Sequence, residues 1–483
     1  MLFSGLIATM PETPRVRAAG RYRIASERVG PRLRLLRIKD RRGPNRIRVL
    51  RLGASSPLTL DVELANDTIP GHERTSSMAQ RNGAVAAING DYTLLPSNRQ
   101  HGRPVHTFAQ NSELVTSPLV FGRNFAMTPD EQSVFIGHPR DKAWLTQSDT
   151  GEVWQIGGWN EVPAGFGEFS VFTMAGGYNH KPPRNSCSAR LRPTGAPAMR
   201  PEQTSVTQTF TVEATRCSTS RLNRKGGVIV TAPWGSVPGT QIEVGLLPGE
   251  SVSLDWTTGW PGINETIGGN PTLFENGVET IGECPSTSMF CRRNPRTGIG
   301  VDGRGRLLLV TVDGRQKKSV GMTLDEFADL FRYLGATSAL NLDGGGSTTM
   351  WVRGRIVNRV SDPSERAVGS SILVVPQGSG PGPQPTPVPT TTATPTPGST
   401  EQPAPSPTPT SVSAAASGLQ SLSVAEAVTD ESLCASLTDP ASTGGLLDFL
   451  ARRRGSGFGE PMLRRALQVF RGDRDCDLGV PRS

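Results

Sequence analysis

Residues 339–350 read Ala339-Leu-Asn-Leu-Asp-Gly-Gly-Gly-Ser-Thr-Thr-Met350. Apolar residues alternate with Asn341 and Asp343, as at the end of a buried strand, and the chain then breaks into three glycines and three hydroxyl residues. Glycine has no Cβ, so Gly344, Gly345 and Gly346 can take positive φ and turn successive N–H groups toward one point, a nest suited to an anionic or sugar oxygen. Asp343 then faces that point. Asn341, two residues earlier, projects to the same side of the strand. The plainer alternative is a glycine-rich turn in which Asp343 only caps a backbone N–H.

Immediately upstream, Thr323-Leu-Asp-Glu326 reads as a capping box opening a helix with Phe327, Leu330, Phe331 and Leu334 on one face, stopped by Gly335. Before it, Arg306-Leu-Leu-Leu-Val-Thr-Val-Asp-Gly314 is the most apolar strand of the chain and ends in Asp313. Strand, helix and strand in that order predict a βαβ unit near residues 306–343. With parallel strands, the Asp313 and Asp343 ends lie side by side. Farther upstream, Glu265-Thr-Ile-Gly-Gly-Asn-Pro271 carries Gly269 and Asn270 at a strand start, and Arg293-Asn-Pro-Arg-Thr297 presents Arg296 and Thr297 on a constrained loop. A second apolar run, Ala84-Val-Ala-Ala-Ile-Asn-Gly-Asp-Tyr92, also ends in Asn89, Gly90 and Asp91, so two strand ends are expected to converge on one cleft. Taken singly, Asp313-Gly314 reads equally as a hairpin turn, Asn89 as a loop tie and Arg296 as the partner of a structural carboxylate.

Amphipathic strands fill residues 21–64, and residues 143–225 read as an elaborated insertion or loop system with one clear strand at Ser205–Glu213. The expected class is α+β, a mixed sheet with few helices. Residues 1–19 form an N-terminal segment with the look of a residual signal, and 20–376 the main domain. Between Pro381 and Pro409 stand 11 Pro and 8 Thr, too few apolar groups for a core, so 377–416 is expected to be a disordered spacer reaching on the order of 90 Å. Residues 417–483 suggest a small helical module.

The formal charge of +8 is spread along the 483 residues without interleaved aromatics, which argues against nucleic acid. No run of eighteen apolar residues suggests a membrane span. The six cysteines lack C-x-x-C spacing and nearby histidines, so disulfides fit better than zinc. Local pairing gives Cys187 with Cys217, Cys284 with Cys291 and Cys434 with Cys476, and places the protein outside the cytosol, extracellular or in the cell envelope.

Four motifs in order, Ala87-Ile-Asn-Gly-Asp-Tyr92, Ile267-Gly-Gly-Asn-Pro271, Asn294-Pro-Arg-Thr-Gly-Ile-Gly300 and Asn341-Leu-Asp-Gly-Gly-Gly-Ser347, resemble the phosphodiester glycosidase family. That family includes the enzyme that uncovers mannose 6-phosphate and many bacterial exopolysaccharide-related proteins. The likeness spans about residues 80–375. It departs at Asp91, where the family commonly has glycine. The resemblance implies cleavage of a sugar C1 to phosphate-oxygen bond. The leaving group is a phosphomonoester of low pKa, so donors on the phosphate and a carboxylate for an oxocarbenium or an attacking water matter more than a general acid.

Arg296 is the expected phosphate ligand, its planar fork matching phosphate oxygens. Thr297, Gly344, Gly345, Gly346, Ser347 and Thr348 supply further donors, with Asn89, Gly269, Asn270 and Asn341 lining the cleft. Asp343 is the expected catalytic carboxylate, with Asp313 or Asp91 as the second. No metal-ligand spacing appears, although a divalent cation such as calcium would suit so many oxygens. The expected partner is a carbohydrate phosphodiester or anionic glycopolymer, with cell-wall association through the spacer and terminal module. Transfer to an acceptor alcohol and non-catalytic polysaccharide binding are the competing functions.

Overall fold

The structure is a computed structural model. It describes residues 21–378 apart from 42, 99, 120–121, 129–132, 162–166, 174–181, 201–204, 224, 261, 283 and 285–287. The expected N-terminal segment, spacer, helical module and Cys434–Cys476 pair lie outside the described residues.

Every residue of strand Leu307–Val312 is buried because its sheet is covered on both sides. Leu308, Val310 and Val312 face the helix Leu324–Leu334, whose Phe327, Leu330, Phe331 and Leu334 fill the same cluster. Leu307 and Leu309 point the other way, into a core shared with two five-stranded sheets. A strand buried on both faces loses the polar alternation of a half-exposed one, which accounts for its continuous apolar run. The helix begins as its sequence dictates. Thr323 Oγ1 accepts from Glu326 N at 3.3 Å, Glu326 Oε2 accepts from Thr323 N at 3.2 Å, and Gly335 ends it at φ 91°.

The expected α+β class is overturned. Among the described residues there are 28 strands and three α-helices, so the chain is mostly β. The anticipated βαβ unit takes a different form. Leu307–Val312 and Ala336–Asn341 run in the same direction, but Arg296–Asp302 lies between them and pairs antiparallel with both. One crossover helix therefore spans an antiparallel strand, and Asp313 and Asp343 end on non-neighbouring strands. The turn from Arg296–Asp302 to Leu307–Val312 is short and returns the chain antiparallel, which a single helix with parallel flanks does not reveal.

Residues 142–257 form a barrel, which corrects the reading of 143–225 as an insertion or loop system with one clear strand. Seven strands, Ser186–Pro193, Val228–Pro233, Phe169–Phe172, Val153–Trp159, Lys142–Gln147, Ser251–Thr257 and Ser205–Ser218, return on Ser186–Pro193 and close the sheet. Closure removes the free edges that an open sheet would expose. Leu145, Trp154, Val171, Leu191, Val230 and Leu254 fill the interior. Val153–Trp159 and Phe169–Phe172 are a parallel pair in this otherwise antiparallel barrel. Cys187 and Cys217 face each other across two barrel strands and are bonded, and Cys284 is bonded to Cys291, as the local pairing predicts. Among the described residues no helix is long and apolar enough to cross a membrane.

Candidate active site

Asp343 lies just beyond strand Ala336–Asn341, where the Asn89–Gly90 turn holds its backbone. Its N–H donates to Gly90 O at 3.1 Å, and its carbonyl accepts from Asn89 Nδ2 at 2.7 Å. Asn89 ends strand Ala86–Asn89 and is fully buried; its Oδ1 accepts from Thr297 Oγ1 at 2.8 Å and from Thr349 N at 3.1 Å. One carboxamide thus joins three strand ends, and the predicted convergence of the Asn89 and Asp343 segments is present.

Gly269 and Asn270 arrive beside them. A Cβ on Gly269 would overlap the carbonyl of Asn341. Asn341 Nδ2 donates to Asn270 O at 2.7 Å and to Tyr92 Oη at 3.0 Å. The buried Asn341 Oδ1, Asn270 Nδ2 and Thr348 Oγ1 carry no bond. Unbonded polar atoms are costly inside a protein, so several clustered at one place fit a ligand-binding region.

The glycine loop follows. Gly345 has φ 57°, and residues Gly345–Ser347 make one turn of 3-10 helix. The amides of Gly345, Ser347 and Thr348 are bonded to Pro295 O, Gly344 O and Gly345 O. Among the described residues, Gly344 and Gly346 N–H have no backbone acceptor. The glycines are required because side chains lie on the loop: a Cβ on Gly346 would overlap the Arg366 and Asp362 side chains, and one on Gly345 would meet Arg315 at 3.2 Å. Arg366 pairs with Asp362 at 2.7 Å, and Arg315 donates to Asn294 Oδ1 at 2.9 Å. Both arginines are exposed and place positive charge over the loop amides.

The remaining predicted residues lie elsewhere. Arg296 is 2% exposed, and its guanidinium donates to the carbonyls of Phe290, Met322 and Arg292 at 2.6, 3.0 and 3.0 Å. Its guanidinium ties the loop before its strand to the helix entry, while its backbone lies beside Gly344. Asp313 is buried behind the loop, its Oδ1 accepting from Arg359 N at 3.1 Å; burial pushes its carboxyl above the ordinary range, while that bond and Arg48 pull it back. The Asn358 side chain also pulls that carboxyl back, and it donates to Thr348 O at 3.0 Å. Asp91 is buried against His106, accepting from His106 N at 2.9 Å and lying 2.7 Å from its Nδ1.

Arg315, Arg366, Asp362 and His106 escape a reading of the sequence. Each is a single polar residue in a loop, and in a chain with 51 lysines and arginines an isolated arginine carries no pattern. Among the described residues, the one group of three metal-ligand types close together is Cys187, Cys217 and Glu243, and its two sulfurs are joined to each other.

Residues 205–375 match the family model described as phosphodiester glycosidase. The N-acetylglucosamine-1-phosphodiester alpha-N-acetylglucosaminidase of Bos taurus is 30% identical over 196 residues, 36% of this chain and 36% of that protein. The SPbeta prophage-derived uncharacterized protein YomE of Bacillus subtilis is 40% identical over 82 residues, 17% of this chain and 13% of that one. The matches therefore span well under half the length of these relatives. A hypothetical protein from Synechocystis, solved as a crystal structure, shares the fold with a TM-score of 0.56 and 19% identity over 73% of this chain and 63% of that one. The family match covers Arg296–Asp302, Ala336–Asn341 and the Asp343 loop, so the segment that builds the site is the one that is similar to the phosphodiester glycosidase family.

Proposed function

We propose that the chain is a hydrolase that cleaves a glycosyl phosphodiester between sugar C1 and the phosphate oxygen. The observation that carries this is the glycine loop after Asp343, with two amides turned to no backbone acceptor and the Arg315 and Arg366 guanidinium groups packed on it. The phosphate sits on those amides between the two arginines. The Asp343 carboxylate serves C1, stabilising positive charge there or activating the attacking water. Water supplies oxygen to C1 and a proton to the leaving phosphate. The products are the free sugar and a phosphomonoester. Asp313 acts as a positioning residue through Asn358 and Thr348.

The substrate class is a carbohydrate phosphodiester or anionic glycopolymer of the cell envelope or outside the cell. Two disulfides support an oxidising compartment. Transfer to an acceptor alcohol uses the same site and differs only in what replaces water.

The test is release of reducing sugar from α- and β-linked sugar 1-phosphate methyl esters by the full chain and by Asp343→Asn, with and without added alcohol. Hydrolysis in water that falls by roughly a thousandfold or more in Asp343→Asn supports the proposal. Ligand binding without turnover by either protein would replace it with a polysaccharide-binding role, and product formed only with alcohol would replace it with transfer.

A further inference from the structure

Where the barrel meets the strands before it lies a cavity of about 260 Å³ that the proposed reaction does not use. His106 and Asp141 line it from the body, and Trp159, Glu161 and Glu168 from the barrel. His106 is fully buried, yet its Nε2 has no partner. Its other nitrogen explains the ring's orientation: a carboxylate only accepts, so the 2.7 Å contact with Asp91 Oδ1 places a proton on Nδ1, and in that tautomer Nε2 is the acceptor. Asp141 repeats the pattern. Thr107 Oγ1 donates to its Oδ2, while its Oδ1 is buried with no partner. Gly122 makes room for this arrangement, since a Cβ there would overlap the imidazole.

Two buried acceptors and two further carboxylates line one small space. An anion is repelled by three carboxylates, and a cation meets Arg140 and Lys142, which line the same cavity. A neutral molecule with adjacent hydroxyl donors along one edge and C–H groups on a face satisfies both the acceptors and the apolar wall of Trp159, Ile156 and Leu114. The volume lies just below the roughly 300–1,000 Å³ of ordinary small-molecule sites, enough for one ring.

We infer that this cavity is a saccharide pocket separate from the Asp343 loop, binding a neutral sugar ring through two hydroxyls that donate to His106 Nε2 and Asp141 Oδ1. The inference does not depend on the reaction at Asp343. Asp141 is the direct contact least tied to the fold, and Gly122→Ala displaces the His106 ring without deleting a polar group.

The experiment is calorimetric titration of the full chain with methyl glycosides of glucose, mannose, galactose and N-acetylglucosamine. It is repeated on Asp141→Leu, Gly122→Ala and Asp343→Asn, with the fold of each checked by near-UV circular dichroism. At least one glycoside is expected to bind the parent chain, to weaken about tenfold or more in Asp141→Leu and Gly122→Ala, and to bind Asp343→Asn unchanged. No binding by the parent up to about 50 mM, a concentration at which even a millimolar site would fill, overturns the inference. So does binding that is lost only in Asp343→Asn. Should one cavity variant fail to fold, the other decides alone. Should both fail, protection of His106 from diethylpyrocarbonate by the bound glycoside in the parent supports the pocket, and no protection overturns it.

Discussion

Asn89 and Asp343 stand 254 positions apart in the chain, and the side-chain amide of the first is bonded to the backbone carbonyl of the second at 2.7 Å. The same side chain accepts from Thr297 and Thr349, so its three bonds fix three strand ends in one place. Asn89→Leu leaves those buried groups unmet. It is expected to cost about 2–4 kcal/mol of stability, since each unsatisfied buried polar group costs roughly 1–3 kcal/mol. Asn89→Asp keeps the acceptors but loses the donor to Asp343. It should lower turnover more than stability, which denaturant titration beside steady-state kinetics will separate.

Arg315 and Arg366 are expected to act on the phosphate. Replacing either with alanine should lower kcat/KM for a sugar phosphodiester by roughly 10- to 1000-fold, the range of a lost charge-assisted contact of about 1.5–4 kcal/mol. Arg315→Lys should recover little, because an ammonium cannot reproduce the planar fork. Equal kinetics in the parent and both alanine variants would remove the arginines from the proposed site.

Two glycines offer a contrast. In Gly346→Ala the new methyl collides with the ends of the Arg366 and Asp362 side chains, which can swing outward. The expected outcome is a large loss of activity with a small change in melting temperature. In Gly102→Ala the methyl would overlap the backbone carbonyl of Gly71, and φ is 82°. Neither strain can relax cheaply, so that variant should unfold at markedly lower temperature. Thermal melts and initial rates on both proteins check the pair.

Stability should fall as pH rises above the ordinary carboxylate range. Burial pushes Glu63 from 4.5 up to about 9, against the pull of Arg81, and burial likewise pushes Glu265 well above 4.5. Between those limits the folded chain holds a proton that the unfolded chain has released, so the unfolded state gains as pH increases. The stabilisation is complete below about pH 4.5 and is lost by about 9. Glu63→Gln keeps the shape and cannot ionise. It should flatten the slope of unfolding free energy against pH over this window by up to about 1.4 kcal/mol per pH unit, read from urea titrations at pH 5, 7 and 9.

The local elements were legible because short-range rules govern them. The Thr323 to Gly335 helix follows from its caps and apolar face, the buried strands from their apolar runs, and the Asn89 and Asp343 strand ends from a shared pattern of Asn, Gly and Asp. The barrel was not legible. Gly157 and Gly158 interrupt the alternation of Val153–Trp159, and the pairing of Lys142–Gln147 with Ser251–Thr257 in the barrel is long-range with no local mark.

Arg296 shows the same division. Its residue type suits a phosphate, but only the fold reveals that three backbone carbonyls occupy its donors while Arg315 and Arg366 lie over the glycine loop. Composition and spacing by themselves determined the capped helix, the apolar strands around it and the tight loop after Asp343, since propensity, capping and burial act within a few residues. Tertiary structure alone decided which strand lies between Asp313 and Asp343 and which charges meet the loop, because those contacts join separate elements and depend on pairing order.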